Sequence, residues 1–250
     1  MAQLREWIAR IHGLDSVWAA RLATELRRGH IAPTSYRQTR TALRREPYYS
    51  TLPPGTRADL DYNFASRVPR KIIERLDAHL RNTNATIAGS YRREAVTSSD
   101  IDLVWRGTRA SWHRTVAELN RSQENSANRD KIVITAPYQG GEAKEECVVC
   151  FTIIQGSGDA ARTLHYNVKM DVFWATRAQY PYMLLYATGN YNLNIRMRFI
   201  AKRQSMLLNQ YGLYRLAADG TRGDPLHVSS ERGIFNLLHM SYLEPRQRTV

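Results

Sequence analysis

Gly89-Ser90-Tyr91-Arg92-Arg93-Glu94-Ala95-Val96-Thr97-Ser98-Ser99-Asp100-Ile101-Asp102 is the stretch on which the reading of this chain turns. The apolar run Thr86-Ile87-Ala88 reads as a short strand ending at a Gly-Ser pair, and Ile101–Trp105 reads as the next strand. Residues i and i+2 of a strand project to one face, so Asp100 and Asp102 point together. Two carboxylates that close repel each other unless a cation sits between them. Mg2+ takes a few carboxylate oxygens together with substrate phosphates, which suits this arrangement. The helix start at Gly-Ser offers backbone N–H groups and Arg93 offers a fork of donors, both suited to phosphate. Asp-x-Asp alone is better explained by an aspartate opening a turn and a solvated strand residue. The upstream Gly-Ser pair and the two arginines between tip the reading toward phosphate chemistry.

A third carboxylate extends the pattern. In Tyr166–Trp174, Val168, Met170, Val172 and Trp174 alternate with Asn167, Lys169, Asp171 and Phe173. The first set is expected to face the core, which leaves Lys169 and Asp171 on the face of Asp100 and Asp102. Three aspartates on two neighbouring strands form a cage for two metal ions and in-line phosphoryl transfer.

Outward from this centre, Lys131–Ala136 and Glu146–Ile154 are further strand candidates, with a helix at Thr108–Leu119 and a polar loop at Asn120–Asp130. Residues 85–174 therefore read as one α/β unit with a mainly antiparallel sheet. Before it the chain is helical and basic. Leu4, Trp7, Ile8 and Ile11 make one apolar stripe, a glycine-containing turn follows, and a second helix carries Trp18, Leu22 and Leu26. A helix opening after Pro69 turns Ile72, Ile73, Leu76 and Leu80 inward. After Pro181 helical signal returns, with Leu193, Met197 and Ile200 as the buried edge of a helix ending at Arg203. A small hairpin around Leu213–Asp219 and a helix near Ile234–Met240 complete the chain.

The 250 residues carry 36 Lys+Arg against 23 Asp+Glu, a net charge of +13. That excess points to polyanions, with nucleic acid ahead of membrane because no long basic amphipathic helix is present. An Arg-rich coding sequence would give the same balance. No apolar run nears the roughly 20 residues of a membrane span, and the start lacks the order of a secretory signal. Two cysteines make no disulfide framework. Cys147-Val148-Val149-Cys150 has half a zinc site's spacing, but in a strand i and i+3 face opposite ways, so buried thiols are expected.

The motifs in this order resemble the X family of DNA polymerases, typified by DNA polymerases beta and lambda, over nearly the whole chain. The Gly89-Ser90…Asp100-Ile101-Asp102 block is similar to the palm signature, and Lys169-Met170-Asp171 to the strand bearing the third catalytic aspartate. Tyr186-Ala187-Thr188-Gly189 resembles a Tyr-Phe-Thr-Gly segment, and Asn194…Met197-Arg198 the helix after it. Asn209-Gln210-Tyr211-Gly212-Leu213 and Tyr242-Leu243-Glu244-Pro245-Arg246 resemble two thumb signposts. Upstream, Ile11-His12-Gly13-Leu14-Asp15 resembles a helix-hairpin-helix, and Arg67-Val68-Pro69-Arg70 a fingers–palm junction.

The resemblance implies an α+β fold: a nucleotidyltransferase palm over 71–180, helix-hairpin-helix fingers over 1–70 and a small α/β thumb over 181–250. It implies a template-directed DNA polymerase acting on dNTPs and gapped or primer–template DNA, filling short gaps in repair. A template-independent or poly(A)/CCA-type nucleotidyltransferase and a catalytically silent DNA-binding protein are the alternatives. Asp100, Asp102 and Asp171 would be catalytic and bind two Mg2+ ions, with Mn2+ able to substitute. Arg70, Gly89, Ser90, Arg93, Ser99, Tyr186, Ala187, Gly189 and Asn194 would hold the nucleotide. Ile11, Gly13, Leu14, Lys169, Arg198 and Tyr211 would contact DNA, with a monovalent cation at the hairpin. Ala187 stands where the family places an aromatic ring, so open space is expected beside it. A monomer is expected, inside the cell and nuclear in a eukaryote. No lysine precedes Lys71, so the lyase domain of polymerase beta and its Schiff-base chemistry are expected to be missing.

Overall fold

The computed structural model describes residues 68–124, 130–135, 137, 139–155 and 162–248. The helices expected before Pro69, and with them the hairpin residues Ile11, Gly13 and Leu14, lie outside the described residues. The described chain is mixed α and β, and it divides into two compact units.

The unit that carries the Gly-Ser stretch contains Pro69–Leu119, Gly141–Lys144 and Met170–Val250. Pro69 fixes the entry of α1 (Arg70–His79), where a missing N–H costs nothing, and Ile72, Ile73 and Leu76 face inward as their spacing demands. Three short elements follow: β2 (Ala85–Ile87), the single turn α2 (Gly89–Arg92) and β3 (Thr97–Ser98), after the two-residue β1 (Val68–Pro69). β4 (Ile101–Arg106) pairs antiparallel with β2 and parallel with the end of β8 (Arg162–Ala175). The sheet is mainly antiparallel, as the alternation implied, but the β4–β8 pair that joins the aspartate strands is parallel.

α4 (Tyr180–Thr188) is apolar all round because it is covered on two sides. Met183, Leu184 and Ala187 join Ala88, Val104 and Phe173 in one small core. Tyr182 and Leu185 enter a larger core with Leu193, Met197 and Ala201 of α5 (Tyr191–Arg203), and the buried Tyr182 hydroxyl donates to the Leu226 carbonyl at 2.6 Å. β9 (Met206–Asn209), β10 (Gly212–Leu216) and β11 (Arg222–Pro225) form a three-stranded antiparallel sheet that supplies Met206, Leu208 and Leu213. α6 (Glu231–Leu237), capped by Ser230, closes that core with Ile234 and Phe235.

The second unit includes Asn120–Gly140 and Glu145–Lys169. Here β5 (Lys131–Ile134) and β6 (Gln139–Gly140) each pair antiparallel with β7 (Lys144–Gln155). Cys147 is buried and Cys150 half-buried on opposite faces of β7, as strand geometry requires.

Two sequence expectations are corrected. The helix α3 runs over Arg109–Glu124, so the first part of the expected polar loop is helical. Asn120 sits in that helix because its amide donates to the Ile134 carbonyl at 2.8 Å and accepts from the Ile134 N–H at 3.0 Å. The hairpin expected around Leu213–Asp219 is present as β10–β11, with its turn at 217–221, and β9–β10 forms another that turns between Asn209 and Gly212. The Asn209 side-chain oxygen accepts from the Tyr211 and Gly212 N–H groups there. Trp174, expected in the core, is half-exposed and its indole N–H donates to the Glu142 carbonyl at 2.7 Å.

Candidate active site

Asp102 and Asp171 are register partners on the parallel strands β4 and β8, so their side chains stand side by side on one face. Asp100 lies just ahead of β4 and is half-buried, as is Asp102. The Ala88 N–H donates to the Asp102 carbonyl at 2.7 Å and brings the start of α2 against that carboxylate. Gly89 is required here for two reasons. Its φ of +56° lies in the left-handed region, and a Cβ would sit 2.2 Å from Asp102 Oδ2.

The two arginines after Gly-Ser-Tyr diverge. Arg93 is half-buried and donates to the Thr188 carbonyl. Burial lowers its guanidinium pKa while the charges of Asp102 and Asp100 oppose that, so Arg93 stands in the field of both aspartates. Arg92 serves the fold instead. It donates to both carboxylate oxygens of Glu231, at 2.9 and 2.6 Å, and to Thr188 Oγ1 at 2.7 Å. Arg248, with no exposed side-chain surface, donates to the same Glu231 at 2.7 Å. Burial works to raise the Glu231 pKa, but the hydrogen bonds and charges of Arg92 and Arg248 prevail and hold it below the usual carboxylate value.

Arg70 lies over the Tyr91 ring at 4.4 Å and donates to the Tyr91 carbonyl at 2.6 Å, which ties α1 to α2. Burial, and then Asp77 beside it, push the Tyr91 hydroxyl up to about 12. Ser90 Oγ donates to Ser98 Oγ at 2.7 Å, and the exposed Ser99 leans on Asp100. Gly89, Ser90, Arg93, Ser99, Asp100 and Asp102 thus all lie within the short stretch from the start of α2 to the start of β4.

Past α4, Gly189 has φ +66° and its Cβ position lies 3.5 Å from Arg93 Nη1. Asn190 caps α5 by accepting from the Leu193 N–H at 2.8 Å. Asn194 donates to the Tyr186 carbonyl at 2.9 Å, and the Arg198 guanidinium lies 5.7 Å from the Tyr186 ring. Tyr186 in turn meets Phe173 edge-on at 6.0 Å, so Tyr186, Asn194 and Arg198 form one surface beside β8. Ala187 does not border open space: its methyl is buried in the small core with Phe173 and Met183. Tyr211 is half-buried against that same core. In the other unit, Lys169 stands 3.5 Å from Glu146.

Lys144 escapes the sequence reading. Its ammonium lies 2.8 Å from Asp171 Oδ2, in the same unit. A lone lysine before a strand gives no signal of a partner 27 residues away. The donor set suits a hard divalent cation: Asp102 and Asp171 stand side by side on β4 and β8, Asp100 lies just ahead of β4, and Asp171 already holds an ammonium. Among the described residues, however, no three His, Cys, Asp or Glu side chains stand together as a ready metal cluster.

The chain is similar to known proteins over most of its length. Residues 183–249 match the family model described as DNA polymerase beta thumb. The chain is 23% identical to DNA polymerase lambda of Rattus norvegicus over 74% of its length and 34% of the relative's. It is 24% identical to DNA polymerase lambda of Arabidopsis thaliana, over 75% of the chain and 37% of the relative. DNA nucleotidylexotransferase of Xenopus laevis is 24% identical over 65% of the chain and 36% of that protein. The chain thus spans about a third of the length of the curated relatives it matches. Over about three quarters of its length, then, the chain is similar to X-family DNA polymerases, and over residues 183–249 to their thumb.

Proposed function

We propose that the chain is a template-directed DNA polymerase that adds dNTPs to a primer 3′-hydroxyl and fills short gaps in DNA repair. The observation that carries this reading is the side-by-side placement of Asp102 and Asp171, with Gly89 packed on Asp102 and Arg93 in the aspartates' field. Asp100, Asp102 and Asp171 would hold two Mg2+ ions, with Mn2+ as a substitute. Bound there, such ions supply Lewis acidity to the attacking oxygen and charge to the triphosphate. The primer 3′-oxygen bonds to the α-phosphorus, the bond to pyrophosphate breaks, and Asp171 takes the hydroxyl proton. Arg93, Arg70, Ser90 and the backbone at Gly89 and Ser99 hold the β- and γ-phosphates, where negative charge accumulates.

Tyr186, Asn194 and the backbone at Ala187 and Gly189 line the nascent base pair in this reading. Arg198 touches the template strand, Lys169 the primer terminus and Tyr211 the duplex. The hairpin at Ile11, Gly13 and Leu14 would grip a phosphate together with a monovalent cation. The protein would work as a monomer on gapped or primer–template DNA, in the nucleus of a eukaryotic cell. The net charge of +13 supports a polyanionic partner. Among the described residues no helix is long and apolar enough to cross a membrane.

The similarity to a nucleotidylexotransferase favours untemplated addition as the second reading. Primer extension in Mg2+, with and without template, separates the two. Extension that follows the template base supports the proposal, and equal extension of a single strand supports the second reading. Binding of gapped DNA without any extension would leave a silent DNA-binding protein.

A further inference from the structure

Lys144 opens β7, and the segment Gly141–Lys144 belongs to the unit that holds all three aspartates. Its Nζ lies 2.8 Å from Asp171 Oδ2, with the lysine side chain 37% exposed and the aspartate 14%. Strand β8 itself brings the lysine there. The Trp174 indole N–H donates to the Glu142 carbonyl at 2.7 Å, just before Lys144, and the Phe173 ring lies 5.8 Å from the ammonium. A half-exposed lysine with water available would gain little from a surface carboxylate. Here the carboxylate is mostly shielded, so an ammonium at 2.8 Å matters more to it than it would to an exposed one.

We propose that Lys144 is a built-in counter-ion that holds the third carboxylate back from divalent metal and is exchanged for the metal when the site fills. This rests on the metal-binding role assigned to the aspartates above. An ammonium and a divalent cation on one carboxylate oxygen repel at a few ångströms, so occupancy by one weakens the other. Lys144 thus sets the metal concentration at which Asp171 joins the site, and it keeps Asp171 neutralised until then.

The test is Mn2+ binding to the full chain without nucleotide or DNA, read from the electron paramagnetic resonance of free Mn2+. K144M, which keeps the aliphatic stem and removes the charge, should bind Mn2+ about three- to ten-fold more tightly than wild type, the range of a partly shielded ion pair. K144R should stay near wild type, and in a D171N background K144M should change nothing. Should K144M fold poorly, as judged by its melting curve, K144Q makes the same comparison. Unchanged or weaker Mn2+ binding by the charge-removing variant would overturn the proposal. If D102N and D171N weaken Mn2+ binding while K144M does not tighten it, only the role of Lys144 falls. If neither aspartate variant affects Mn2+ binding, the metal site itself falls, and the proposed function with it.

Discussion

Gly89→Ala is the sharpest perturbation this architecture offers, because one methyl group tests the joint between α2 and the aspartate strand. At φ +56° an L-residue costs about 1–2 kcal/mol in backbone energy alone. The added Cβ would also lie 2.2 Å from Asp102 Oδ2, 3.1 Å from its Cγ and 3.2 Å from its Cβ. The first of these is far inside any ordinary contact, so either the carboxylate turns away or the start of α2 lifts. With the Ala88 N–H held on the Asp102 carbonyl at 2.7 Å, the carboxylate is the easier part to move. We expect a stability loss of about 1–3 kcal/mol, measured by urea unfolding. The rate of single-nucleotide extension should fall by about 10²-fold or more, since a displacement near 1 Å in a catalytic group has that effect. Saturating metal and dNTP should not restore it, because the defect is one of position. Extension within about three-fold of wild type would refute the claim that Gly89 exists to seat Asp102.

The remaining predictions concern charge and packing. Asp171→Asn should leave gapped-DNA binding near wild type and cut extension by at least about 10³; retention of more than about a tenth of the rate would remove Asp171 from the catalytic centre. Glu231→Gln should cost about 3–5 kcal/mol in urea unfolding, because it leaves Arg92 and the fully buried Arg248 without their shared charge. The Glu231 pKa is lower in the folded chain, so its contribution is fully present above the unfolded value near 4.3 and is lost as pH falls through the folded value. Wild type should therefore lose stability more steeply than the glutamine variant below about pH 4, and parallel curves would contradict the network's role. Ala187→Phe should destabilise by about 1–3 kcal/mol, since the ring must enter a filled core beside Phe173 and Met183; a neutral or stabilising effect would show open space there.

Local pattern carried much of the fold. Alternation picked out β4 and β8, and 3.6-residue spacing placed Leu193 and Met197 on the inner face of α5. It also put Asp171 on the face of Asp102, because side-chain period fixes the face regardless of what the strand pairs with. The parallel direction of that pairing was not legible, since hydrogen bonds between segments about 70 residues apart set it. Polar residues misled where a distant partner satisfied them. Asn120 looks like a loop residue until its amide is seen closing on Ile134. Lys144, Glu231 and Arg248 are ordinary surface types in sequence, and only the tertiary fold makes them a counter-ion and a buried network. Ala187 misled in the other direction, because a small residue beside a substrate site and a small residue in a tight core are written alike.

The adjacent pair Arg92-Arg93 shows how one stretch can serve both site and scaffold. Successive residues at a helix end point about 100° apart, so two arginines in a row cannot both face the aspartates. Arg93 takes the aspartate side and donates to the Thr188 carbonyl, while Arg92 turns to the Thr188 hydroxyl and Glu231. Both therefore close on one fully buried residue at the last turn of α4, next to Tyr186, Ala187 and Gly189. The segment proposed to hold phosphate and the segment proposed to line the base pair are thereby clamped together through Thr188. Lysine would not replace Arg92, because one ammonium cannot reach two carboxylate oxygens and a hydroxyl with a planar fork. The double arginine after Gly-Ser-Tyr thus reflects two separate demands, one for charge near the aspartates and one for a rigid link behind them.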